Sequence, residues 1–367
     1  MRCINYMFLL FITFCFFVCC EQTKGVNDYR TLVIPSETLP ISEFVEPLVI
    51  RPLETNDSIQ LIRSDRLFVF DKEVYILDEQ QKTLFVFDTN GQFLNKLGRV
   101  GRGPDEYIMM NDFCVDESKN VMILDSYSSC CKVYDEEFNH LKDIRLPRNS
   151  FNYIQQVDDS LIVLYSMSDG AAVLYNHQHG EIVAELSISQ EDLEFRTPFK
   201  ANSSPFKRYK EEVYLLASAR KEIYKITPSG FVLYYAFSFG EKDGNPFSLE
   251  LPNEKDFLGR SAFSKKNRKT ETIYSIAEYW ETDEFVFLIC SNFSKFLYNK
   301  NLGKWMILDK KISYQSFYGR TFYEIQSIET LHLSKRMDNI SVDDIQWKNI
   351  LALPADSNPI LLSYKLK

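Results

Sequence analysis

The chain has 367 residues, of which 45% are hydrophobic and 25% are charged, and this composition is that of a globular protein rather than a disordered or fibrous one. Its formal net charge of −9 and its isoelectric point of about 5.2 exclude a global positive field, so nucleic acid is not an expected partner. Aromatic residues make up 14% of the chain against only 13 glycines, a bias that favours β-strands packed on both faces.

The N-terminal segment has the pattern of a secretory signal. One basic residue, Arg2, precedes a nearly uncharged apolar run from Ile4 to Val18, which is too short to span a bilayer comfortably. The run ends in FVCCE at residues 17–21, which resembles the lipobox of bacterial lipoproteins with Cys20 as the lipid-bearing cysteine. We therefore expect lipidation at Cys20; an ordinary signal peptide that leaves two incidental cysteines is the alternative.

A strand pattern repeats along the chain. The segment VYILD ends at Asp78 and LFVFD ends at Asp88, and the pattern returns 47 residues later (78 to 125), where VMILD ends at Asp125 and KVYD ends at Asp135. Three weaker copies keep the same spacing of ten, with their ends at 165 and 175, at 217 and 227, and at 289 and 299. Short strands separated by polar turns are typical of antiparallel meanders, so the chain contains five predicted strand-turn-strand units.

A β-meander that repeats at intervals of about 40–50 residues is typical of a β-propeller, in which each blade buries both faces against its neighbours. Closure of the ring predicts a sixth blade, built from residues 322–333, the last strand over 360–364 and an N-terminal strand over 48–50. Rings of five or seven blades are the alternatives. The predicted fold class is all-β: a six-bladed β-propeller of four-stranded antiparallel blades, closed by N- and C-terminal strands. The predicted organisation is a signal peptide over 1–19, a lipid-anchored linker over 20–45 and a single propeller domain over 46–367.

Residues 98–107, GRVGRGPDEY, carry three glycines, one proline and four charges. No Lys-Ser/Thr follows, and neither GxxxxGK[ST] nor GxGxxG is present, so a phosphate-binding loop is not expected. The propeller reading makes this loop the crossing from the outer strand of the first blade to the inner strand of the second. The glycines are then expected to adopt positive φ at sharp bends, and Pro104 to fix the direction of re-entry.

The stretch from Leu97 to Tyr107, followed by FCVD, VMILD and VYD, resembles an NHL repeat. It is similar to the six-bladed β-propeller lipoproteins abundant in Bacteroides and relatives, whose first inter-blade loop typically reads GxxGxGPGEY; Asp105 stands here where that family often has Gly. The ending NPIL and YKLK also resembles that family. The resemblance implies a fold and a location, and that family has no single established activity.

The charged side chains of the loop are the candidate binding residues. They either pair with one another or form a polar contact site near the mouth of the central channel, where guanidinium and carboxylate groups would hydrogen-bond a sugar, a carboxylate or a peptide. The candidates are Arg99, Arg102, Asp105, Glu106, Tyr107, Asn111 and Asp112. Insertions near residues 191–205 and 243–272 also join an outer strand to an inner one, so they are expected on the same face.

Signals for catalysis are few. The four histidines form no HExxH motif, no GxSxG is present, and the eight cysteines do not form a disulfide pattern. We predict no catalytic residue, metal ligand or cofactor, although a calcium or zinc site at inner-strand carboxylates such as Asp112 stays open.

The expected function is that of an exported lipoprotein, at the outer membrane or facing the periplasm. We expect a monomer that binds a glycan, a peptide or an envelope protein and meets the membrane through its N-terminal lipid. A metal-dependent propeller hydrolase or lyase and a structural subunit of an envelope complex are the alternatives.

Overall fold

The structure is a computed structural model of the chain. It describes residues 29–31, 38–39, 45–187, 204–216, 220–245, 250, 252–253, 256–267, 269–308, 315–329, 348–350, 352–354 and 356–367. The predicted signal peptide and Cys20 lie outside the described residues, as does most of the 191–205 insertion.

The described strands form six antiparallel sheets. Three strands precede the first complete sheet: β1 (Tyr29–Thr31), β2 (Thr38–Leu39) and β3 (Val49–Pro52). Blade 1 contains β4 (Arg66–Phe70), β5 (Glu73–Asp78), β6 (Thr83–Asp88) and β7 (Phe93–Leu97). Blade 2 contains β8 (Asp112–Val115), β9 (Val121–Asp125), β10 (Cys130–Tyr134) and β11 (His140–Arg145). Blade 3 contains β12 (Tyr153–Gln156), β13 (Leu161–Ser166), β14 (Ala171–Asn176) and β15 (Glu181–Ser187).

The second half of the chain repeats this arrangement. Blade 4 contains β16 (Phe206–Tyr209), β17 (Glu212–Leu216), β18 (Glu222–Thr227) and β19 (Gly230–Ser238). A 3-10 turn at Gly240–Lys242 and helix α1 (Phe257–Asn267) follow before blade 5, which contains β20 (Ile276–Glu281), β21 (Phe285–Cys290), β22 (Lys295–Asn299) and β23 (Lys304–Leu308). Blade 6 contains β24 (Ser316–Tyr318), β25 (Thr321–Gln326) and β26 (Ile360–Lys365), with β3 as its outer strand.

The sheets form a ring, which confirms the predicted six-bladed propeller. The first strand of each blade lies nearest the axis, where β4 contacts β24, β8 contacts β12, and β16 contacts β20. The ring closes because β3, from the N-terminal side, pairs antiparallel with β26, from the C-terminal end. The predicted closure is therefore confirmed, and the sixth blade gains β24 as an inner strand that the sequence patterns did not reveal.

Burial explains why the repeats are apolar at consecutive positions. Five of the six residues of β5 and of β6 are buried, because neighbouring blades cover both faces of these strands. The outer strand β7 has only Leu97 buried, and β11 only Ile144, because one face of each outer strand meets solvent. The change from apolar to mixed sequence along each blade follows the distance from the ring's axis.

Two of the aspartates that repeat along the sequence bind the backbone of the segments that lead into the first strands of blades 1 and 2. Asp78 is fully buried at the end of β5, where its Oδ2 accepts from the amides of Ile62 and Arg63 at 2.8 and 2.9 Å. Asp125 is fully buried at the end of β9 and accepts from the amide of Ile108 at 2.8 Å in the same way. Each carboxylate thus fixes the segment that enters the first strand of its blade.

The N-terminal strands run along the outside of the ring. β1 pairs parallel with β19 at the edge of blade 4, and β2 pairs parallel with β23 at the edge of blade 5. The chain then reaches the edge of blade 6 as β3. Within the segment predicted as a linker, two short stretches therefore extend the sheets of the propeller.

The glycines of the 98–107 loop have a different role from the one predicted. Gly98, Gly101 and Gly103 are not among the residues with positive φ, so the expectation of left-handed bends is wrong. A Cβ at Gly101 would lie 1.9 Å from Oε2 of Glu106, and one at Gly98 would lie 3.0 Å from Oγ1 of Thr83. The loop needs glycine there because other side chains pack directly against its backbone.

Candidate functional site

The loop of residues 98–107 joins β7 to β8, so it is the crossing between blades 1 and 2 that the sequence predicts. Within it, Nη1 of Arg99 lies 3.1 Å from Oδ2 of Asp105, and both side chains are close to half exposed. Oε2 of Glu106 accepts from the amide of Gly103 at 2.7 Å and lies under Gly101. Three of the four predicted charges therefore bind groups within the loop itself.

The side chains of Tyr107 and Asn111 form hydrogen bonds within the propeller itself. Tyr107 is fully buried, and its hydroxyl lies 2.7 Å from the carbonyl oxygen of Lys82 and 3.1 Å from that of Leu97. Burial raises the pKa of Tyr107 above its usual range. Oδ1 of Asn111 accepts from the hydroxyl of Ser126 at 2.6 Å, which fixes the start of β8 against the turn after β9.

Asp112 connects three blades close to the axis. Its side chain is 1% exposed and forms an ion pair with Arg66 of blade 1, while its Oδ2 accepts from the amide of Ile154 in blade 3 at 2.9 Å. Arg66 also donates to the carbonyl oxygen of Phe113 at 2.6 Å and stacks over the Phe113 ring at 4.8 Å. Burial lowers the pKa of Arg66 to about 10, which still leaves the guanidinium charged at neutral pH.

A cavity of about 710 Å³ occupies the central channel. Residues of the inner strands of blades 1, 3, 4, 5 and 6 line it, together with Glu117 of the turn that follows β8. None of the seven candidate residues from the sequence lines this cavity, although Arg66, which pairs with Asp112, does. A ligand-binding role for the seven stays a prediction.

Aromatic side chains form much of the cavity wall. They come from blades 1, 4, 5 and 6: Phe68, Phe70, Phe206, Tyr209, Trp280, Phe317 and Tyr318. Phe70 and Tyr318 meet edge to face with their centroids 5.8 Å apart, and the Tyr318 side chain is 39% exposed. Flat apolar surfaces combined with a few polar groups are typical of small-molecule sites.

Turn residues identify which end of the channel belongs to the cavity. In a four-stranded antiparallel blade, the turn after the first strand lies at the edge opposite to the crossing between blades. Lys210, Asp283, Gly319 and their neighbours follow the first strands of blades 4, 5 and 6 and line the cavity. This end of the channel is therefore opposite to the 98–107 loop.

Four of the five basic residues that line the cavity form ion pairs with Asp or Glu side chains of the protein. Arg66 pairs with Asp112, and the other pairs are Lys207 with Glu278 at 2.7 Å, Lys210 with Asp283 at 2.7 Å and Arg320 with Glu284 at 3.3 Å. Among the acidic lining residues, Glu281 has a side chain 1% exposed and binds Lys300 at 2.5 Å. Glu117 is exposed at the rim.

Arg208, the fifth basic residue, makes no hydrogen bond or ion pair with any described residue. Its Nε is shut off from solvent and lacks a hydrogen-bond partner. The guanidinium lies near enough to Cys114 in blade 2 for its charge to favour the thiolate, although burial dominates and raises the pKa of that thiol to about 11. The positive charge of Arg208 on β16 of blade 4 therefore acts electrostatically on Cys114 in the inner strand of blade 2.

The polar residues of the wall are arranged to donate hydrogen bonds. The hydroxyl oxygen of Ser316 accepts from the amide of Val69 at 3.1 Å, and that of Ser204 accepts from the amide of Phe206 at 3.2 Å, so each hydroxyl hydrogen is left to donate. The side-chain oxygen of Gln315 accepts from the amide of Ile325 at 3.0 Å, which leaves its NH₂ group. At these three residues, the cavity offers donors to an incoming ligand.

Within the described parts of the chain, no three His, Cys, Asp or Glu side chains lie close enough together to hold a metal ion. No described helix is both long and apolar enough to cross a membrane. The four described cysteines, Cys114, Cys130, Cys131 and Cys290, are free, in agreement with the absence of a disulfide pattern in the sequence.

The sequence patterns did not point to the cavity residues because some inner strands, such as β12 and β16, carry polar residues where the second and third strands of the blade are apolar. The sequence of β16 is FKRY, with two cationic residues at its centre, so it lacks the apolar run by which the other strands were predicted. The signal that locates it is its position: each inner strand ends a short turn before the apolar second strand, as RLFVF does before EVYILD.

The fold and the cavity define a six-bladed β-propeller with a ligand-sized central channel. Residues 31–365 match the family described as "Domain of unknown function (DUF4934)", and the chain belongs to that family. No curated protein matches the chain.

Two solved structures share the architecture. One is a protein from Bacteroides fragilis NCTC 9343 that its name describes as a candidate exported protein; it is 21% identical, with a TM-score of 0.69 over 92% of this chain and 99% of that one. The other is a member of the DUF4221 family from Bacteroides vulgatus ATCC 8482, 13% identical, with a TM-score of 0.53 over 88% of this chain and 97% of that one. At these identities the likeness concerns the fold.

Proposed function

We propose that this protein is an exported envelope lipoprotein that binds a small glycan or peptide in the central channel of its propeller. The observation that carries the binding role is the cavity of about 710 Å³ lined by aromatic side chains from four blades. Ligand sites of 300–1,000 Å³ typically combine an apolar wall with a few oriented polar groups, as this wall does. A rigid ring keeps these groups in place before the ligand arrives, which lowers the entropic cost of binding.

Export is supported by the N-terminal sequence. The apolar run from Ile4 to Val18 and the lipobox-like FVCCE support a mature chain that begins at a lipid-bearing Cys20. The protein from Bacteroides fragilis with the same fold has a name that also describes a candidate for export. In this proposal the lipid holds the propeller at the outer membrane or facing the periplasm.

Binding in the channel is tested with glycan and tripeptide arrays on the purified soluble chain. Tyr318→Ala removes an aromatic wall of the cavity, and we expect a roughly five- to thirtyfold loss of affinity for any ligand found, since stacking surfaces contribute about 1–2 kcal/mol. Tyr127→Ala is the matched control, because Tyr127 is 66% exposed and does not line the cavity. A ligand that is insensitive to Tyr318→Ala but lost in the Arg99→Ala, Arg102→Ala double variant would move the site to the inter-blade loop.

A further inference from the structure

The strongest unexplained feature of the channel is the charge of Arg208. Arg66, Lys207, Lys210 and Arg320 are each neutralised by a carboxylate of the protein, whereas Arg208 has no such partner among the described residues. A guanidinium cannot lose its proton in the physiological range, so its charge persists. Its Nε–H, closed off from water, is left without the hydrogen bond that buried donors normally make.

We propose that Arg208 is the anchor of a subsite for a carboxylate, so that the ligand of the channel is an acid. This inference rests on the proposed binding function and names the chemical class of its ligand. A carboxylate offers two acceptor oxygens that match the planar fork of a guanidinium, and the pair forms two parallel charge-assisted hydrogen bonds. Such a pair would neutralise the charge that Arg208 brings to the cavity wall.

The charge balance of the wall favours a single negative charge over a phosphate dianion. Arg208 supplies one unneutralised positive charge, and Glu117 at the rim opposes further anions. Three other polar residues of the same cavity wall, Ser204, Ser316 and Gln315, are neutral donors rather than cations. They would bind hydroxyl or carbonyl oxygens elsewhere on the ligand.

The aromatic wall fits the rest of such a ligand. Trp280 contacts Lys207 at 4.8 Å from its ring centroid, and Tyr209 is held by a hydrogen bond from its hydroxyl to Asp283 at 2.6 Å. Burial and that bond raise the pKa of Tyr209 to about 12, so the ring keeps its neutral hydroxyl. A uronic acid and a peptide C-terminus are the two sources of such a carboxylate, and both present it beside a body that can pack against the aromatic wall.

The test uses isothermal titration calorimetry with pairs of probes that differ only in the carboxylate. The pairs are trigalacturonate with its methyl ester and trialanine with its amide, and inorganic phosphate is the dianionic probe. We expect the acid of one pair to bind at least tenfold tighter than its neutral partner. In Arg208→Gln that preference disappears, while Arg148→Gln, which removes an arginine outside the cavity, keeps it.

The outcomes separate this inference from the proposed function. Neutral probes that bind and respond to Tyr318→Ala, with no preference for the acid, would overturn the carboxylate subsite and leave channel binding intact. A preference for the acid that survives in Arg208→Gln, or tighter binding of phosphate than of any acid, would also overturn it. Which of the two acids binds identifies the source of the carboxylate.

A ligand-free measurement decides the case in which no probe binds. If Arg208 lacks a partner in the free protein, Arg208→Met removes an unsatisfied donor, and the midpoint of thermal unfolding should rise by about 2 °C or more. Arg66→Met, which breaks the pair with Asp112, should lower the midpoint. A fall in the Arg208→Met midpoint would mean that the guanidinium already has a partner within the protein, and the subsite would be rejected.

Discussion

Glu106 shows how one side chain constrains the residues around it. Its carboxylate folds back under the loop, accepts from the amide of Gly103 at 2.7 Å and occupies the space in which a Cβ of residue 101 would stand. The sequence left open whether this charge is used within the loop or meets a ligand, and the geometry gives the carboxylate a bond inside its own loop. The glycine at 101 and the acid at 106 are therefore coupled positions.

The coupling can be measured as a double-mutant cycle. Gly101→Ala places a methyl group against Oε2 of Glu106 and should reduce the free energy of unfolding by about 1–2 kcal/mol, because the carboxylate must leave the amide of Gly103. In a Glu106→Ala background the same substitution should cost much less, and urea denaturation of the four proteins gives the coupling energy. Additive effects would show that Gly101 is required for another reason.

The repeated aspartates show a second residue-scale pattern. Asp88 and Asp135, ten residues after the buried Asp78 and Asp125, accept from the amides of the turns between the third and fourth strands. Blade 3 keeps the spacing with different residues, since Ser166 ends β13 as Asp78 ends β5, and Asn176 ends β14 as Asp88 ends β6. The sequence-based alignment of this unit at residues 165 and 175 is therefore displaced by one position.

At the scale of elements, the junction of blades 6 and 1 depends on Asn358. This residue is 1% exposed, its Oδ1 accepts from the amide of Leu61 at 2.7 Å, and its Nδ2 donates to the carbonyl oxygens of Glu54 and Ile59 at 2.6 and 2.8 Å. All three bonds join the segment after β3 to the segment before β26, about 300 residues away in the chain. The side chain therefore fastens the two ends that close the ring.

Asn358→Asp tests these three hydrogen bonds with almost no change in the shape of the side chain. The variant loses both amide donors and directs a carboxylate oxygen at two carbonyl oxygens, so the free energy of unfolding should fall by at least about 2 kcal/mol. Asn301→Asp makes the same chemical change at an exposed turn and should have little effect. Equal midpoints of thermal unfolding for the two variants would contradict a role of Asn358 in closure.

At the scale of the whole molecule, the N-terminal strands relate the ring to its proposed anchor. β1 lies at the outer edge of blade 4, and Tyr29 is nine residues after Cys20 (29 minus 20). Nine extended residues span at most about 30 Å, so a lipid on Cys20 would hold the edge of blade 4 within that distance of the bilayer. The cavity itself lies near the axis of the ring.

Lipid attachment at Cys20 is tested by metabolic labelling with a fatty-acid analogue and by membrane fractionation. Cys20→Ala should abolish labelling and release the protein from the membrane fraction, because the acyl chains provide the proposed attachment. Cys19→Ala is the matched control and should leave both unchanged. Retention of the Cys20→Ala protein in the membrane fraction would rule out anchoring by this cysteine.

The fold was predictable because each blade produces a local sequence pattern. Apolar runs such as LFVF and the spacing of ten between Asp78 and Asp88 report strands buried on both faces, and these patterns repeat for each blade. The inner strand β16 was not recognised because residues that face the channel of a propeller need not be apolar. FKRY in β16 carries no periodic signal, yet it contributes much of the cavity wall.

The sequence by itself determined the all-β class and the repeat, since both depend on burial that the residue pattern records. It favoured six blades with N- and C-terminal strands closing the ring, but the tertiary structure decided that number and supplied β24. Only the tertiary structure decided which charges are neutralised. Arg99 and Arg208 look alike in sequence, but Arg99 meets Asp105 six residues away, whereas the surroundings of Arg208 are built by blades distant in the chain. Electrostatic pairing depends on distances of a few ångströms, and ring closure sets those distances.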